Sequence, residues 1–233
     1  MILAGGLGTR MRPVTERIPK ALVSVLGRPF AELQLEWLAV QGVEEVVYSV
    51  GYRGEMLRDA VGDGERFGLR IVYVHEGEDL RGTGGALRLA ADRGVLPEAF
   101  FLLYGDSYLT VDLAAVERTW TASGLPALMT VLRNNGRWDS SNAVLDGDLV
   151  RYDKRNPQAL GAAPEWIDYG LSVLGAEAVC DWLPEGGRGD VADLFHQLGA
   201  AGLLAGFEAS ERFYEVGSPQ GLADLEEQLR SAR

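Results

Sequence analysis

Short apolar runs alternate with amphipathic stretches through the first 133 residues, and this rhythm limits the possible folds more than any other property of the chain. MILA (1–4) reads as a strand that enters a glycine loop, and FAELQLEWLAVQ (30–41) as a helix ended by Gly42. EEVVYSVG (44–51) is a β-branched strand, GEMLRDAVGDGERFG (54–68) a helix and LRIVYVHE (69–76) a strand. GALRLAADRG (85–94) is helical, and AFFLLYGD (99–106) is a continuous apolar run that suits a buried parallel strand. DLAAVERTWTASG (112–124) and PALMTVLR (126–133) add one more helix and strand. The pattern predicts an α/β fold with an open, doubly wound, mostly parallel sheet. Ligands bind beyond the carboxyl ends of the strands in such sheets, so residues 5–8, the 75–85 loop and residues 105–106 are expected to meet in one crevice.

After residue 134 the rhythm loosens. NAVLDGDLVRYDK reads as a hairpin turning at Asp146, Gly147 and Asp148. IDYGLSVLG is a strand, DVADLFHQLGAAG a helix, and LLAGFEAS and RFYEVG are strands. SPQGLADLEEQLRSAR closes the chain as a helix with Ser218 as N-cap and Pro219 at the first helical position. The expectation is one domain with halves at 1–133 and 134–233, the second a small β-rich, substrate-side extension. Hexapeptide repeats are absent, so no appended β-helix is expected.

Composition removes several function classes. The chain has 233 residues, a length that suits one large domain. Its net charge of -12 argues against a nucleic-acid partner. Residues 1–30 nevertheless carry Arg10, Arg12, Arg17, Lys20 and Arg28 against Glu16 alone, a local +4 that suits a small polyanion. Cys180 is the single cysteine, and His75 and His196 stand in no metal-ligand spacing. No apolar run approaches the ~18 residues of a membrane span. MILAGG does not read as a signal peptide, so a cytoplasmic protein without a membrane partner is expected. Of 22 basic residues only Lys20 and Lys154 are lysines. Arginine codon bias explains the ratio, but surviving lysines are then candidates for positions that need a compact point charge.

The segment LAGGLGTRMRPVTERIPKAL (3–22) holds the strongest motif. A dinucleotide fingerprint would need a third glycine where Met11 stands, which argues against an oxidoreductase, and a P-loop would need Gly-Lys-Ser/Thr. What remains is a glycine turn whose N–H groups can cradle phosphate, followed by Arg10 and Lys20.

That segment resembles the signature of the sugar-1-phosphate nucleotidylyltransferases (NDP-sugar pyrophosphorylases). RGTGGAL (81–87), YGDS (104–107), YDKRNP (152–157), IDYGLSVL (167–174) and EVGSP (215–219) extend the resemblance in order along the chain. It is similar to the branch of mannose and D-glycero-D-manno-heptose 1-phosphate guanylyltransferases. The resemblance implies a Rossmann-like nucleotidyltransferase fold and the reaction of an NTP with a sugar 1-phosphate, giving NDP-sugar and pyrophosphate. By the same resemblance Leu3, Ala4, Gly5, Gly6, Gly8, Thr9 and Arg10 hold the nucleotide, with Gly82, Thr83 and Gly84 at the base. Arg10, Lys20 and Asp106 are the catalytic set, and Asp106 with Glu215 binds Mg²⁺. Relatives usually carry Asp where Glu215 stands. Asn142, Lys154, Asp168, Tyr169 and Gly170 match the sugar-phosphate side, with Trp138 and Asp139 nearby.

Glu76 tilts base choice toward GTP, because a carboxylate can accept two N–H bonds from guanine; UTP or dTTP is the alternative. A non-catalytic nucleotide or sugar-phosphate sensor on the same fold is the rival from another class. A monomer or small homo-oligomer is expected. The motif begins at Leu3, close to Met1, so the first strand is expected to start upstream of the given sequence.

Overall fold

The computed structural model describes residues 1–6, 8–77 and 81–231. In chain order the regular elements begin with β1 (Ile2–Leu3), β2 (Ser24–Val25), β3 (Arg28–Pro29), α1 (Phe30–Val40), β4 (Glu45–Val50) and α2 (Gly54–Val61). They continue with β5 (Arg70–His75), α3 (Gly82–Asp92), β6 (Ala99–Tyr104), β7 (Ser107–Tyr108), α4 (Leu113–Ser123) and β8 (Ala127–Arg133). Next come β9 (Ala143–Asp146), β10 (Leu149–Tyr152), β11 (Trp166–Gly175), α5 (Ala176–Trp182) and α6 (Val191–Ala200). β12 (Leu204–Ala209), β13 (Tyr214–Glu215) and α7 (Pro219–Ser231) complete the set.

The chain divides into two compact units, and not at 133/134. The first comprises Met1–Leu80, Leu103–Leu109 and Phe213–Arg233; the second comprises Arg81–Leu102 and Thr110–Arg212. The sequence pattern cannot reveal this, because the C-terminal segment returns to pack with the N-terminal one.

Within the first unit the strand order is β5-β4-β1-β6, and the pairs β4–β5, β1–β4 and β1–β6 are all parallel. Every β1 residue is buried, as a central strand covered on both faces requires. Helix α1 buries Phe30, Ala31, Gln34, Leu35 and Leu38, an i, i+4, i+8 stripe with one polar member. A second cluster joins Val25, Phe30, Tyr214, Val216 and Leu225. Each such apolar side chain contributes about 1.5–3 kcal/mol on burial. This cluster ties α7 and β13 to the β2–β3 hairpin, and so sets residues 215–217 beside the N-terminal motif.

The second unit is mixed rather than parallel. Its order is β6-β11-β8-β12-β10-β9, with β8 antiparallel to β11, parallel to β12, and β10 antiparallel to both neighbours. The β9–β10 hairpin pairs Asp146 with Leu149, leaving Gly147 (φ +59°) and Asp148 as the turn. Asp112 caps α4 by accepting from the Ala114 N–H at 3.0 Å, and Gly124 ends it at φ +64°.

Three element boundaries differ from expectation. The 54–68 helix stops at Val61, because Gly62 and Gly64 take φ of +67° and +92°. Helix α3 starts at Gly82, so the RGTGG motif forms its first turn rather than a loop. Helix α5 was not expected at all.

Candidate active site

The glycine loop of the first unit is built around Gly8, which sits at φ +59°. Its carbonyl accepts the Thr15 hydroxyl at 2.7 Å and the Met11 N–H at 3.0 Å. Thr15 and Met11 are buried, so they anchor the loop from below while Gly6, Thr9 and Arg10 stay exposed. Leu7 lies outside the described residues, as do the 78–80 positions of the 75–85 loop.

Lys20 and Asp106 form an ion pair, each side chain about four-fifths buried: 18% and 19% of their surfaces remain exposed. A Cβ on Gly217 would lie 2.8 Å from Lys20 Nζ and 3.3 Å from both an Arg10 guanidinium nitrogen and Asp106 Oδ2. Three of the expected charges thus converge on one glycine backbone, at a position the sequence marked only through the EVGSP string. Larger residues at 217 would occupy the space between them.

Asp106 is held firmly. Its carbonyl accepts the Val216 N–H, and Gly105 donates to the Leu3 carbonyl, both at 2.9 Å. Gln34, only 1% exposed, donates its side-chain amide to the carbonyls of Tyr104 and Ser107, each at 3.1 Å. These carbonyls flank the turn that presents Asp106, so Gln34 clamps it on both sides. Sequence reasoning passed over Gln34, although a polar residue in an apolar helical stripe is a readable signal. Glu215 pairs with Ser107 across β13 and β7, one residue from Asp106.

Glu76 is only 7% exposed, unusual for a strand-end acid. Its Oε1 accepts the Ser49 hydroxyl at 3.2 Å and lies where a Gly5 side chain would project. Strand-end residues 5, 76 and 105–106 therefore do gather at the carboxyl ends of β1, β5 and β6, as the sheet rule requires.

The second unit holds the remaining expected residues in two groups. Around α6, Thr83 Oγ1 donates to Asp190 Oδ1 at 2.9 Å and accepts the Val191 N–H at 2.9 Å. Asp190 Oδ2 accepts from Lys154 Nζ at 3.2 Å. Gly84 donates its N–H to the Gly189 carbonyl at 2.9 Å, and a Cβ on Gly82 or Gly85 would collide with backbone of 187–189. These contacts pack the 82–84 segment, expected at the base, against residues 187–190. The Thr83 hydroxyl and Gly84 N–H are already engaged, and the glycines permit close packing against 187–190. Only Gly82 of the three is exposed.

In the other group, Asn142 Oδ1 accepts the Asp168 N–H at 3.1 Å, and Asp168 Oδ1 accepts the Gly170 N–H at 2.9 Å. Gly170, at φ +86°, forms a bulge where β11 shifts register against β8. The Tyr169 side chain is fully buried, with its hydroxyl 3.2 Å from Thr110 Oγ1. Trp138 is 38% exposed, with Arg212 and Arg137 over its ring at 5.7 and 6.0 Å.

Against this geometry, the sequence model described as nucleotidyl transferase matches residues 1–140, the stretch that carries the glycine loop, Lys20 and Asp106. The chain belongs to the nucleotidyl transferase family. Among its relatives in that family, the UTP–glucose-1-phosphate uridylyltransferase of Synechocystis sp. is 30% identical over 217 residues, covering 87% of this chain and 55% of the relative. The D-glycero-alpha-D-manno-heptose 1-phosphate guanylyltransferase of Campylobacter jejuni is 38% identical over 117 residues, 50% of this chain and 51% of the relative. The chain thus spans about half the length of the curated relatives it matches. Among solved structures, HddC from Yersinia pseudotuberculosis complexed with GMP-PN superposes with a TM-score of 0.76 at 22% identity, over 98% of this chain and 97% of that one. This likeness establishes the Rossmann-like nucleotidyltransferase fold.

Proposed function

We propose that the protein is a sugar-1-phosphate nucleotidylyltransferase, joining an NTP, with GTP favoured, to a sugar 1-phosphate and releasing pyrophosphate. One observation carries the reading: Arg10, Lys20 and Asp106 surround the Gly217 backbone at the end of the glycine loop. A cluster of two cations and a carboxylate beside exposed loop backbone suits a triphosphate with a divalent metal.

In the reaction we infer, a sugar phosphate oxygen attacks the α-phosphorus in line with departing pyrophosphate. The attacking oxygen is already ionised near neutral pH, so no general base is required. Catalysis is then positioning and charge neutralisation. Arg10 and the loop N–H groups hold the β and γ phosphates. Lys20 neutralises charge that grows at the α-phosphate. Lys154, solvent-accessible at 57% of its side-chain surface, takes the phosphate of the sugar. Asn142, Asp168 and Gly170 brace the backbone at the sugar. Gly82 remains available at the base.

Two carboxylates at neighbouring register positions, Asp106 and Glu215, present hard oxygen donors that suit Mg²⁺. When bound there, Mg²⁺ would supply positive charge to the phosphates.

Guanine is favoured because the Glu76 carboxylate, beside Gly5 of the glycine loop, can accept two N–H bonds from its edge, where uracil or thymine offers one. The relatives include both a guanylyltransferase and a uridylyltransferase, so the choice of base rests on Glu76. The test is direct. Lys20→Ala and Asp106→Asn are expected to lower the rate of pyrophosphate release by roughly 10²-fold or more, the scale for removing one preorganised charge-stabilising group. Wild-type rates in both variants would sink the assignment.

A further inference from the structure

Asp190 lies outside every motif of the family resemblance, yet it joins two of them. Its Oδ1 accepts the Thr83 hydroxyl at 2.9 Å and the Ala192 N–H at 3.0 Å, the latter capping α6. An N-cap needs no more than that oxygen. The second oxygen, Oδ2, faces Lys154 Nζ at 3.2 Å. Thr83 is bonded in turn to the Val191 N–H, and the backbone of 81–84 to Gly189: Gly84 donates to the Gly189 carbonyl and Gly189 donates to the Arg81 carbonyl. One carboxylate therefore carries both the first turn of α3 and one of the chain's two lysines.

We propose that Asp190 is a positioning residue: its Oδ1 locks the 82–84 segment through Thr83, and its Oδ2 holds the Lys154 ammonium in place for the sugar phosphate. The proposal rests on the assignment of Lys154 to that phosphate. A lysine has a flexible four-carbon stem and loses rotamer entropy when it must be fixed to bind. A partner that restricts it beforehand removes part of that cost from substrate binding. Asp190 suits the role because it is itself immobile. It is bonded to a helix N-terminus and to a threonine whose hydroxyl is held by a further N–H. Its carboxyl is lifted by burial, but the Ala192 N–H, the Thr83 hydroxyl and Lys154 outweigh this and hold it below the usual carboxylate range. The Lys154–Asp190 pair is partly exposed, at 57% and 35%, so the ammonium can meet an incoming anion without leaving the carboxylate.

The test uses Asp190→Asn, because asparagine is as good an N-cap and keeps an oxygen for Thr83. Steady-state kinetics of the full chain with GTP and mannose 1-phosphate should show KM for mannose 1-phosphate raised about tenfold, the scale of coupling between contacting residues, with KM for GTP and kcat little changed. In a Lys154→Ala background the same substitution should have no further effect. Reductive ¹³C-methylation, which retains the charge, gives a second readout independent of turnover. With only two lysines, the signal that persists in Lys20→Arg and is lost in Lys154→Ala belongs to Lys154, and it should narrow in Asp190→Asn. An unchanged Lys154 signal, an unchanged KM for mannose 1-phosphate, or full additivity with Lys154→Ala would each overturn the proposal. If Lys154→Ala alone leaves that KM unchanged, the assignment of Lys154 fails first and takes the proposal with it.

Discussion

At the scale of single residues, the two lysines carry the clearest division of labour. Lys20 is four-fifths buried against Asp106, while Lys154 is mostly exposed against Asp190. Lysine in a chain that otherwise uses arginine was legible in the sequence as a sign of selection for a point charge. Asp190 was not, because a residue that acts through its neighbours has no motif of its own. Its depressed carboxyl implies a pH signature. The folded state binds the Asp190 proton less tightly than the unfolded chain. The stabilisation is thus complete above the unfolded carboxylate value, about 3.9, and disappears as pH falls through the lower folded value. Melting curves should therefore show wild type and Asp190→Asn differing above roughly pH 4 and converging in stronger acid. A gap that widened on acidification would refute the sign. Gly217 is as demanding in a different way. Gly217→Ala places a methyl 2.8 Å from Lys20 Nζ and should reduce pyrophosphate release while barely changing the melting temperature. A fully active Gly217→Ala enzyme would mean that the three charges do not work at that point.

Among the elements, periodicity revealed the strands and most helices, and glycine decided where it misled. Residues 54–68 have helical spacing throughout, but Gly62 and Gly64 take left-handed backbone and divide the stretch. The family resemblance places the RGTGG glycines at the base, and their packing is not legible in it. Here they let α3 pack against 187–190, a tertiary reason that no local pattern contains. Strand β11 shows the same limit: the bulge at Gly170 depends on side-chain bonds from Asp168, and Asp168 is bonded by Asn142 on another segment. At φ +86°, Gly170→Ala should cost about 1–2 kcal/mol. Urea denaturation would register this as a lowered midpoint, whereas an unchanged midpoint would show that the bulge relaxes freely. Helix α1 offers a sharper case. Gln34→Leu removes the side-chain donor to the Tyr104 and Ser107 carbonyls and should cost about 1–3 kcal/mol. If the clamp matters for Asp106 as well as for stability, the variant should need more Mg²⁺ for half-maximal rate even at temperatures where it is fully folded. An unaltered Mg²⁺ requirement would reduce Gln34 to a packing role.

On the scale of the whole molecule, the alternation of elements predicted a doubly wound α/β sheet and the motif resemblance implied a nucleotidyltransferase fold, but neither told how the chain distributes itself. The first compact unit is assembled from three separate stretches, and residues 213–233 return to it after the entire second unit. A reading along the sequence assigns those residues to the second half. The structure groups Glu215 and Gly217 with the glycine loop, Lys20 and Asp106. The uneven charge follows the same division of roles, because a local +4 at residues 1–30 stands out on a chain of net charge -12. The account as a whole is tested most directly by pyrophosphate release from GTP, UTP, dTTP, CTP and ATP, each with Mg²⁺ and a panel of sugar 1-phosphates that includes mannose and heptose 1-phosphate. It predicts one equivalent of pyrophosphate for each NDP-sugar formed, with GTP the best donor. Nucleotide binding without pyrophosphate release from any pair would contradict it, and would make the protein a sensor.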